Sequence, residues 1–349
     1  MHHYTKHLIN KNSSIREALQ KLDELASDAI LFLVDDNNQL LGSLTDGDLR
    51  RGFIKGLGFE NHLSQFIQPN PKFIQQWKYN VREIIALRER FFTVFPVVNA
   101  QMQIINVVNF RHQRSYIPMD AVVMAGGRGE RLRPLTDNTP KPLLRVGDKP
   151  IIEHNLDRLR DFGVDDIWIS VHYLGEKIEN YFKDGAEKSL RIKYIYEDSP
   201  LGTLGALGCA EGLQHETVLV MNSDLLTNIN FEDFYLFFEK QEADFAVACI
   251  PYQVNVPYAV METEENLVKG FKEKPSYTHY SNAGIYLMKR ELVKMIPEGS
   301  IYNATDLMEE LIKQNRKVVA FPLMGYWLDI GKPDDYRKAQ EDIKHIMFV

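Results

Sequence analysis

Ala121-Val122-Val123-Met124-Ala125 is an apolar, β-forming run that leads directly into Gly126-Gly127-Arg128-Gly129-Glu130-Arg131-Leu132-Arg133-Pro134. Glycines let a backbone turn sharply and bring its N–H groups against phosphate oxygens. Two familiar phosphate loops are excluded, because no Gly-Lys-Ser/Thr ends this loop and the third glycine of a dinucleotide fingerprint is missing. The loop instead brings the guanidinium of Arg131 and the ammonium of Lys141, which suit a polyphosphate. The stretch therefore predicts a strand followed by a phosphate-binding loop.

From residue 120 onward, β-forming runs alternate with helical patterns. Strands are expected at Ala121–Ala125, Asp166–Val171, Ile192–Tyr196, Thr217–Met221 and Asp244–Ile250. Helices are expected at Ile151–Phe162, Glu176–Phe182, Leu204–Ala210 and Thr305–Asn315. This alternation predicts an α/β fold, a parallel sheet with helices on both faces, in which ligands bind beyond the carboxyl ends of the strands.

Residues 1–115 have a different organisation, a weak internal repeat of helix, strand, turn and strand. Ser14-Ile15-Arg16-Glu17 and Asn80-Val81-Arg82-Glu83 each predict a capped helix start, with the helices running to Leu25 and Arg88. Pairs of β-forming runs follow each helix, at Ile30–Val34 with Leu40–Leu44 and at Val94–Val98 with Ile104–Val108. We expect two small, similar α+β units at 1–115, a linker at 116–119 and a second domain at 120–349.

Composition limits the possible partners and surroundings of the chain. The 349 residues include 41 Lys and Arg against 48 Asp and Glu, a net charge of -7 that argues against nucleic acid as a partner. Cys209 and Cys249 are too few for a disulfide framework or a thiolate metal site. No apolar run of about 18 residues or signal-peptide pattern is present, so we expect a cytoplasmic protein without a membrane partner.

Leu44-Thr45-Asp46-Gly47-Asp48-Leu49-Arg50 resembles the strand-to-helix ligand signature of CBS domains, and residues 1–115 resemble a tandem CBS pair. The resemblance implies a regulatory adenine nucleotide, its ribose held by Thr45, Asp46 and Asp48. A simple helix cap is the alternative interpretation of the same residues. Because Asn109, Phe110 and His112 replace the signature in the second repeat, a silent, dimer-forming module is equally consistent, and we expect a homodimer or higher oligomer.

Residues 120–340 resemble the sugar nucleotidyltransferase family, whose pattern is Gly-Gly-x-Gly-Thr-Arg-Leu, then Pro-Leu-Thr, then Pro-Lys-Pro. Glu130 departs from it, because Thr or Ser is usual there. The resemblance implies a Rossmann-like, GT-A-like sheet and a Mg2+-dependent transfer from a nucleoside triphosphate (NTP) to a sugar 1-phosphate. Further matching elements are Asn222-Ser223-Asp224, Phe271-Lys272-Glu273-Lys274-Pro275 and Trp327-Leu328-Asp329-Ile330-Gly331.

The resemblance also assigns roles to individual residues. It implies catalysis by Arg131, Lys141, Asp224 and Asp329, with Mg2+ on the two aspartates, whose hard oxygens suit that ion. It implies nucleotide binding by Ala125, Gly126, Gly127, Gly129, Arg131, Glu197 and Gly202. It implies sugar-phosphate binding by Glu273, Lys274, Asn282, Gly284 and Asn303. Simpler interpretations remain open: a loop aspartate, helix caps and a solvated charge run.

Fewer features of the sequence indicate which NTP and which sugar 1-phosphate are the substrates. Glu197 stands where thymidylyl and uridylyl relatives often carry Gln, and a carboxylate matches the paired donors of guanine, which favours GTP. A CBS pair before this transferase resembles a subgroup of legionaminic acid biosynthesis that uses glucosamine 1-phosphate. The alternatives are a mannose-1-phosphate guanylyltransferase, a thymidylyl- or uridylyltransferase for glucose 1-phosphate, and a nucleotide sensor with an inert transferase domain. The lack of a hexapeptide repeat disfavours bifunctional relatives with a C-terminal acyltransferase.

Overall fold

The protein is described by a computed structural model that covers residues 3–346, so positions 1–2 and 347–349 of the predicted domains lie outside the described residues. Two compact units form: one from residues up to Pro118 with Asp161–Gly163, the other from Met119–Arg160 and the residues from Val164 onward. None of the described helices combines the length and apolar character that crossing a membrane requires.

The first unit is a structural repeat. Its strands are β1 (Leu8–Asn10), β2 (Ile30–Val34), β3 (Leu40–Thr45), β4 (Ile74–Gln75), β5 (Val94–Val98) and β6 (Ile104–Asn109). Its helices are α1 (Ile15–Leu25), α2 (Asp46–Ile54) and α3 (Val81–Glu89). Each half has a three-stranded sheet in which the first strand runs parallel to the second and the second antiparallel to the third.

The predicted helix starts are present in both halves of the repeat. The Ser14 hydroxyl accepts a hydrogen bond from Glu17 N at 3.2 Å, and the Asn80 side chain accepts one from Arg82 N at 2.8 Å. These bonds satisfy backbone donors that have no partner inside the helix. Apolar side chains of α1, β2 and β3 then bury a small core that includes Ile15, Leu31 and Leu44.

The second unit carries the larger sheet. Its strands are β7 (Met119–Met124), β8 (Arg145–Val146), β9 (Lys149–Pro150), β10 (Asp166–Val171), β11 (Arg191–Tyr196), β12 (Thr217–Asn222), β13 (Leu225–Thr227), β14 (Phe245–Asn255), β15 (Val260–Glu264), β16 (Leu267–Lys272), β17 (Ser276–Lys289), β18 (Val318–Pro322) and β19 (Trp327–Asp329). Its helices are α4 (Ile151–Asp161), α5 (Gly175–Phe182), α6 (Phe231–Lys240), α7 (Ala304–Lys313) and α8 (Pro333–Asp342).

Seven strands form the main sheet, in the order β11-β10-β7-β12-β17-β14-β18. All neighbours pair in parallel except at β17, which runs antiparallel to both β12 and β14. Val218 and Val220 share a buried cluster with Leu307 of α7, and the alternate residues Leu219 and Met221 are equally buried. The sheet is therefore covered on both faces, as the sequence predicted.

Two segments differ from their predicted form. Leu204–Ala210 is not an α-helix but contains a short 3-10 helix, Gly205–Cys209. A Cβ on Gly205 would lie 2.4 Å from Ser300 O, so this segment is pressed against neighbouring backbone. The second difference is β14, which extends to Asn255 rather than ending at Ile250.

The extension of β14 belongs to a long antiparallel ribbon. Beyond the sheet, β14 and β17 continue as a pair from Pro251–Tyr280 to Asn255–Ser276. Val256 N then donates to Pro275 O at 3.0 Å, and β15 and β16 complete the ribbon as a hairpin. We call residues 251–281 the β arm, and none of them is buried.

Candidate active site

Four parallel strands end at one edge of the main sheet, and the predicted loops start there. Asn222 of β12 is in register with Met124 of β7, and Ser223 N donates to Met124 O at 3.1 Å. On the other side of β7, Ala125 N donates to Ser170 O at 2.9 Å. The glycine-rich loop and the Asp224 loop therefore leave the sheet side by side.

Two glycines of the loop are required by their surroundings. Gly129 has a φ of +64°, and a Cβ there would lie 2.9 Å from the Cβ of Lys141. Gly126 lies against Glu197, whose Oε1 would be 2.6 Å from an added Cβ. Gly127, by contrast, borders open space. The loop backbone therefore packs on Lys141 and Glu197, while no other atom of residues 3–346 crowds Gly127.

A cluster of charged side chains lies beside this loop. Lys141 is buried, and its Nζ donates to Asp224 Oδ2. Asp329 is brought to Asp224 by the antiparallel pairing of β13 with β19, and Ile330 N donates to Asp224 O at 3.1 Å. Arg131 approaches the same place, since a Cβ on Gly331 would be 3.2 Å from its guanidinium.

The pKa of Asp329 reports the electrostatics of this cluster. Burial raises the pKa of the Asp329 carboxyl and the nearby Asp224 raises it further, whereas Lys141 and Arg131 oppose the rise. Burial, with a smaller contribution from Asp224, is therefore the reason that the pKa of Asp329 is raised in spite of the two cations. A pair of oxygen donors that repel each other in a half-buried place suits a small divalent cation.

Within residues 3–346, three side chains offer ligand atoms close enough to share a metal ion: Asp120, Asp166 and His215. They lie near the amino ends of β7 and β10, opposite the loops described above. Asp120 accepts from Gln214 N at 2.7 Å, from His215 N at 2.9 Å and from the His215 ring, and Asp166 is paired with Arg191. Both carboxylates are therefore already engaged by protein groups. The bonds to Asp120 hold the loop with Gln214 and His215 against the sheet.

A cavity of about 300 Å3 opens between the glycine-rich loop, the Asp224 loop and the segment after β11. Its volume is at the lower end of the range for small-molecule sites. The predicted residues that line it are Gly126, Gly127, Lys141, Glu197, Gly202 and Asp224. The predicted residues outside its lining are Ala125, Gly129, Arg131, Glu273, Lys274, Asn282, Gly284, Asn303 and Asp329.

Glu197 is held firmly in the cavity wall. Its Oε1 accepts from the Ser170 hydroxyl and its Oε2 accepts from Leu201 N at 3.0 Å. Ser170 and Leu201 were not selected from the sequence, because nothing in their local pattern shows that they meet this carboxylate. A carboxylate has about four lone-pair sites, so Glu197 keeps acceptor capacity toward the cavity.

Several of the remaining predicted residues lie next to the cavity without lining it. The Asn303 Oδ1 accepts from Thr203 N at 3.3 Å, and the Thr203 hydroxyl accepts from Ala304 N at 2.8 Å. Gly284, with a φ of +71°, lies against Asn222, whose Nδ2 would be 2.6 Å from an added Cβ. Asn303 therefore borders the site through Thr203, and Gly284 through Asn222, two contacts that the sequence patterns did not reveal.

Glu130, Glu273 and Lys274 are exposed, and so are the predicted site residues Gly127, Arg131, Gly202 and Asn282. Glu130 opens the short 3-10 helix after Gly129 and does not line the cavity. Glu273 and Lys274 lie in the β arm, where Lys274 has a positive φ of 42°. Their predicted role toward a sugar phosphate remains a prediction.

The predicted CBS residues form a capping structure in the first unit. Thr45 caps α2, and the buried Asp48 accepts from Thr45 N at 2.9 Å, Thr45 Oγ1 at 2.6 Å, Arg51 at 2.6 Å and Gln68 at 2.9 Å. Burial opposes ionisation, but the bonds from Thr45, Gln68 and Arg51 outweigh it and lower the pKa of Asp48. Asp46 is exposed. Asp48 thus has four protein donors, one for each lone-pair site.

A parallel sheet with a glycine-rich loop, a lysine–aspartate pair and a cavity at its carboxyl edge defines the class of α/β proteins that bind nucleotides at strand ends. The chain belongs to the nucleotidyl transferase family, whose sequence model matches residues 120–346. A CBS domain model matches residues 7–55. The fold predicted for the second unit is therefore confirmed, and so is a CBS domain in the first.

Curated relatives match the second unit. The bifunctional protein GlmU of Methanocaldococcus jannaschii is 34% identical over 230 residues, 64% of this chain and 54% of that protein. A mannose-1-phosphate guanylyltransferase of Mycobacterium tuberculosis is 32% identical over 233 residues, 64% of this chain and of that protein. The chain thus spans less than two thirds of their lengths.

Among solved structures, HddC from Yersinia pseudotuberculosis complexed with GMP-PN is 25% identical, with a TM-score of 0.50. The match covers 64% of this chain and 99% of that chain. These relatives bear different names, so membership of the family does not by itself select a substrate.

Proposed function

We propose that the site transfers a nucleotidyl group from an NTP to a sugar 1-phosphate, releasing pyrophosphate, with GTP and glucosamine 1-phosphate as the favoured pair. The observation that carries the proposal is the charged cluster of Arg131, Lys141, Asp224 and Asp329 beside a glycine-loop cavity. Two cations and two carboxylates in one place suit a reaction that moves negative charge between phosphates.

The chemistry is an in-line displacement at the α-phosphorus of the NTP. A phosphate oxygen of the sugar 1-phosphate forms the new P–O bond, while the bond from the α-phosphorus to the β-phosphate bridging oxygen breaks and pyrophosphate leaves. Lys141 and Arg131 hold the triphosphate and neutralise charge that builds on the leaving group. The loop from Gly126 to Gly129 lets backbone N–H groups approach the phosphates.

Asp224 and Asp329 would hold Mg2+, which supplies Lewis-acid charge neutralisation between the two phosphates when bound. The fit rests on the donor set, because Asp329 is half-buried beside the carboxylate of Asp224 and such a pair of oxygen donors suits a divalent cation. Lys141 pairs with Asp224 and so holds this carboxylate in place.

Two observations support GTP. Glu197 presents a carboxylate acceptor in the cavity wall, which matches the N1–H and 2-amino donors of guanine. A mannose-1-phosphate guanylyltransferase is among the relatives, and a structurally similar protein was solved with GMP-PN. The domain order supports glucosamine 1-phosphate. A CBS domain precedes the nucleotidyl transferase domain, and this arrangement resembles the legionaminic acid subgroup.

The test is pyrophosphate release by the full chain with each of four NTPs and with glucosamine, mannose and glucose 1-phosphates. We expect the highest kcat/KM with GTP and glucosamine 1-phosphate in the presence of Mg2+. Asp224→Asn should lower kcat at least roughly 100-fold, while the exposed Asp233→Asn on the same unit should leave it unchanged. Release with UTP or dTTP alone would refute the guanine assignment, and no release with any pair would refute transferase activity.

A further inference from the structure

The β arm has an uneven distribution of side chains between its two faces. Residues directly opposite in an antiparallel pair share a face. Tyr252 faces His279, and Val254 faces Tyr277, which makes one face of the ribbon apolar and aromatic. Apart from the pair Pro251–Tyr280 at the base of the arm, the other face carries small polar residues: Gln253, Asn255, Ser276 and Thr278.

The hairpin at the end of the arm repeats this division. Met261 pairs with Phe271 and Thr263 with Val268 on one face of β15 and β16. Ion pairs lie elsewhere on the hairpin: Glu262–Lys272 and Glu264–Lys269, each 3.0 Å long. Four of the five charged side chains of the hairpin are thus paired with one another, and its apolar face is exposed within the part of the chain that the structure describes.

An exposed apolar face is unfavourable for a two-stranded ribbon in water. A two-stranded ribbon alone is marginally stable, and contiguous exposed apolar surface marks an interface. Tyr252 is 60% exposed, Met261 52% and Phe271 64%. With Val254, Val268 and Tyr277, and taking about 150–250 Å2 for each full aromatic side chain, the two faces expose roughly 500 Å2 of apolar area.

We propose that the β arm is the interface between two copies of this chain, with the apolar faces of the ribbon and of the hairpin in each arm packed on those of the other. Two such arms remove about 1,000 Å2 from water, the minimum area for a specific interface. A two-fold pair needs one patch that is complementary to itself, and an aromatic and aliphatic face without Asp, Glu, Lys or Arg meets that condition. The same lack of charge disfavours an acidic or basic partner.

The experiment measures association of the full chain by light scattering and sedimentation velocity. Val254→Glu with Phe271→Glu places charge on the apolar faces at exposed positions. Gln253→Glu with Asn255→Glu adds the same charge to the polar face and is the matched control. We expect dimers for the wild type and the control, and a dissociation constant raised roughly 100-fold for the apolar-face variant.

Hydrogen exchange locates the contact independently. Amides of residues 251–281 should become protected as the wild-type concentration rises, and the apolar-face variant should lose that protection while its circular dichroism stays unchanged. A monomeric wild type at tens of micromolar would overturn the proposal, as would a variant that still dimerises. Protection of the arm that does not depend on concentration would also overturn it, because another part of the same chain would then cover the arm.

Discussion

Substituting Asp48 by Asn tests whether the segment Thr45–Asp48 (the TDGD segment) stabilises the fold of the first unit or binds a nucleotide. Each oxygen of Asp48 accepts two hydrogen bonds, and the amide nitrogen of Asn accepts none, so two donors lose their acceptor. A hydrogen bond to a charged group contributes about 1.5–3 kcal/mol. The contribution of the Arg51 hydrogen bond to the free energy of unfolding is smaller, because the Arg51 side chain is 57% exposed. We therefore expect a loss of about 2–3 kcal/mol, or a fall in Tm of roughly 10 °C.

The assay is urea unfolding followed by circular dichroism, with hydrogen exchange to identify the unit that opens first. Asp46→Asn is the matched control, because Asp46 is exposed in the first turn of α2 and should contribute only about 0.5 kcal/mol. Equal stability of the two variants, together with loss of adenine nucleotide binding only in Asp48→Asn, would refute the structural role.

The pH dependence follows from the same contacts. Since the folded-state pKa of Asp48 is lowered, its contribution is fully present above the unfolded value near 4 and is lost as pH falls through the lower folded value. The wild type should therefore lose its advantage over Asp48→Asn only in acid. A constant difference between the two proteins down to the lowest pH that permits folding would contradict this assignment.

Three further predictions concern the second unit. Lys141→Met should lower kcat about 100- to 1,000-fold in the pyrophosphate assay, while Mg2+ still raises the Tm of the variant; an unchanged kcat would remove Lys141 from the mechanism. Gly129→Ala forces a side chain into left-handed backbone at a cost of about 1–2 kcal/mol and should raise the KM for NTP; an unchanged KM would remove this turn from NTP binding. Glu197→Gln turns one acceptor into a donor and should reduce the preference for GTP over UTP by about 10-fold, measured as a ratio of kcat/KM; an unchanged ratio would exclude Glu197 from base selection.

The sequence predicted the central fold because local patterns and global topology agree in it. Asp166–Val171 has the predicted bounds, and α1 begins after Ser14 and ends at Leu25 as predicted. The catalytic candidates were selected by their resemblance to the family's motifs, and their catalytic roles stay predictions. Lys141 and Asp224 are 83 residues apart in the chain, yet they meet at one edge of the sheet.

The sequence was less informative where distant contacts decide the outcome. Leu204–Ala210 has a helical pattern, but Gly205 must fit against Ser300 O, which leaves only a short 3-10 helix. The TDGD segment fits both a nucleotide site and a helix cap, and only Gln68, 20 residues away, reveals that Asp48 is engaged by the fold. The hydrogen-bond partners of Glu197, Ser170 and Leu201, could not be predicted from the sequence either, because they lie in a different strand and in a loop.

The charges at the carboxyl edge combine two carboxylates, Asp224 and Asp329, with two cations, Lys141 and Arg131. Lys141 pairs with Asp224, and Arg131 approaches Gly331, yet the pKa of Asp329 is still raised because burial and the charge of Asp224 outweigh both cations. Asp224 and Asp329 would hold a divalent cation, which would supply positive charge to two oxygen donors in a half-buried place.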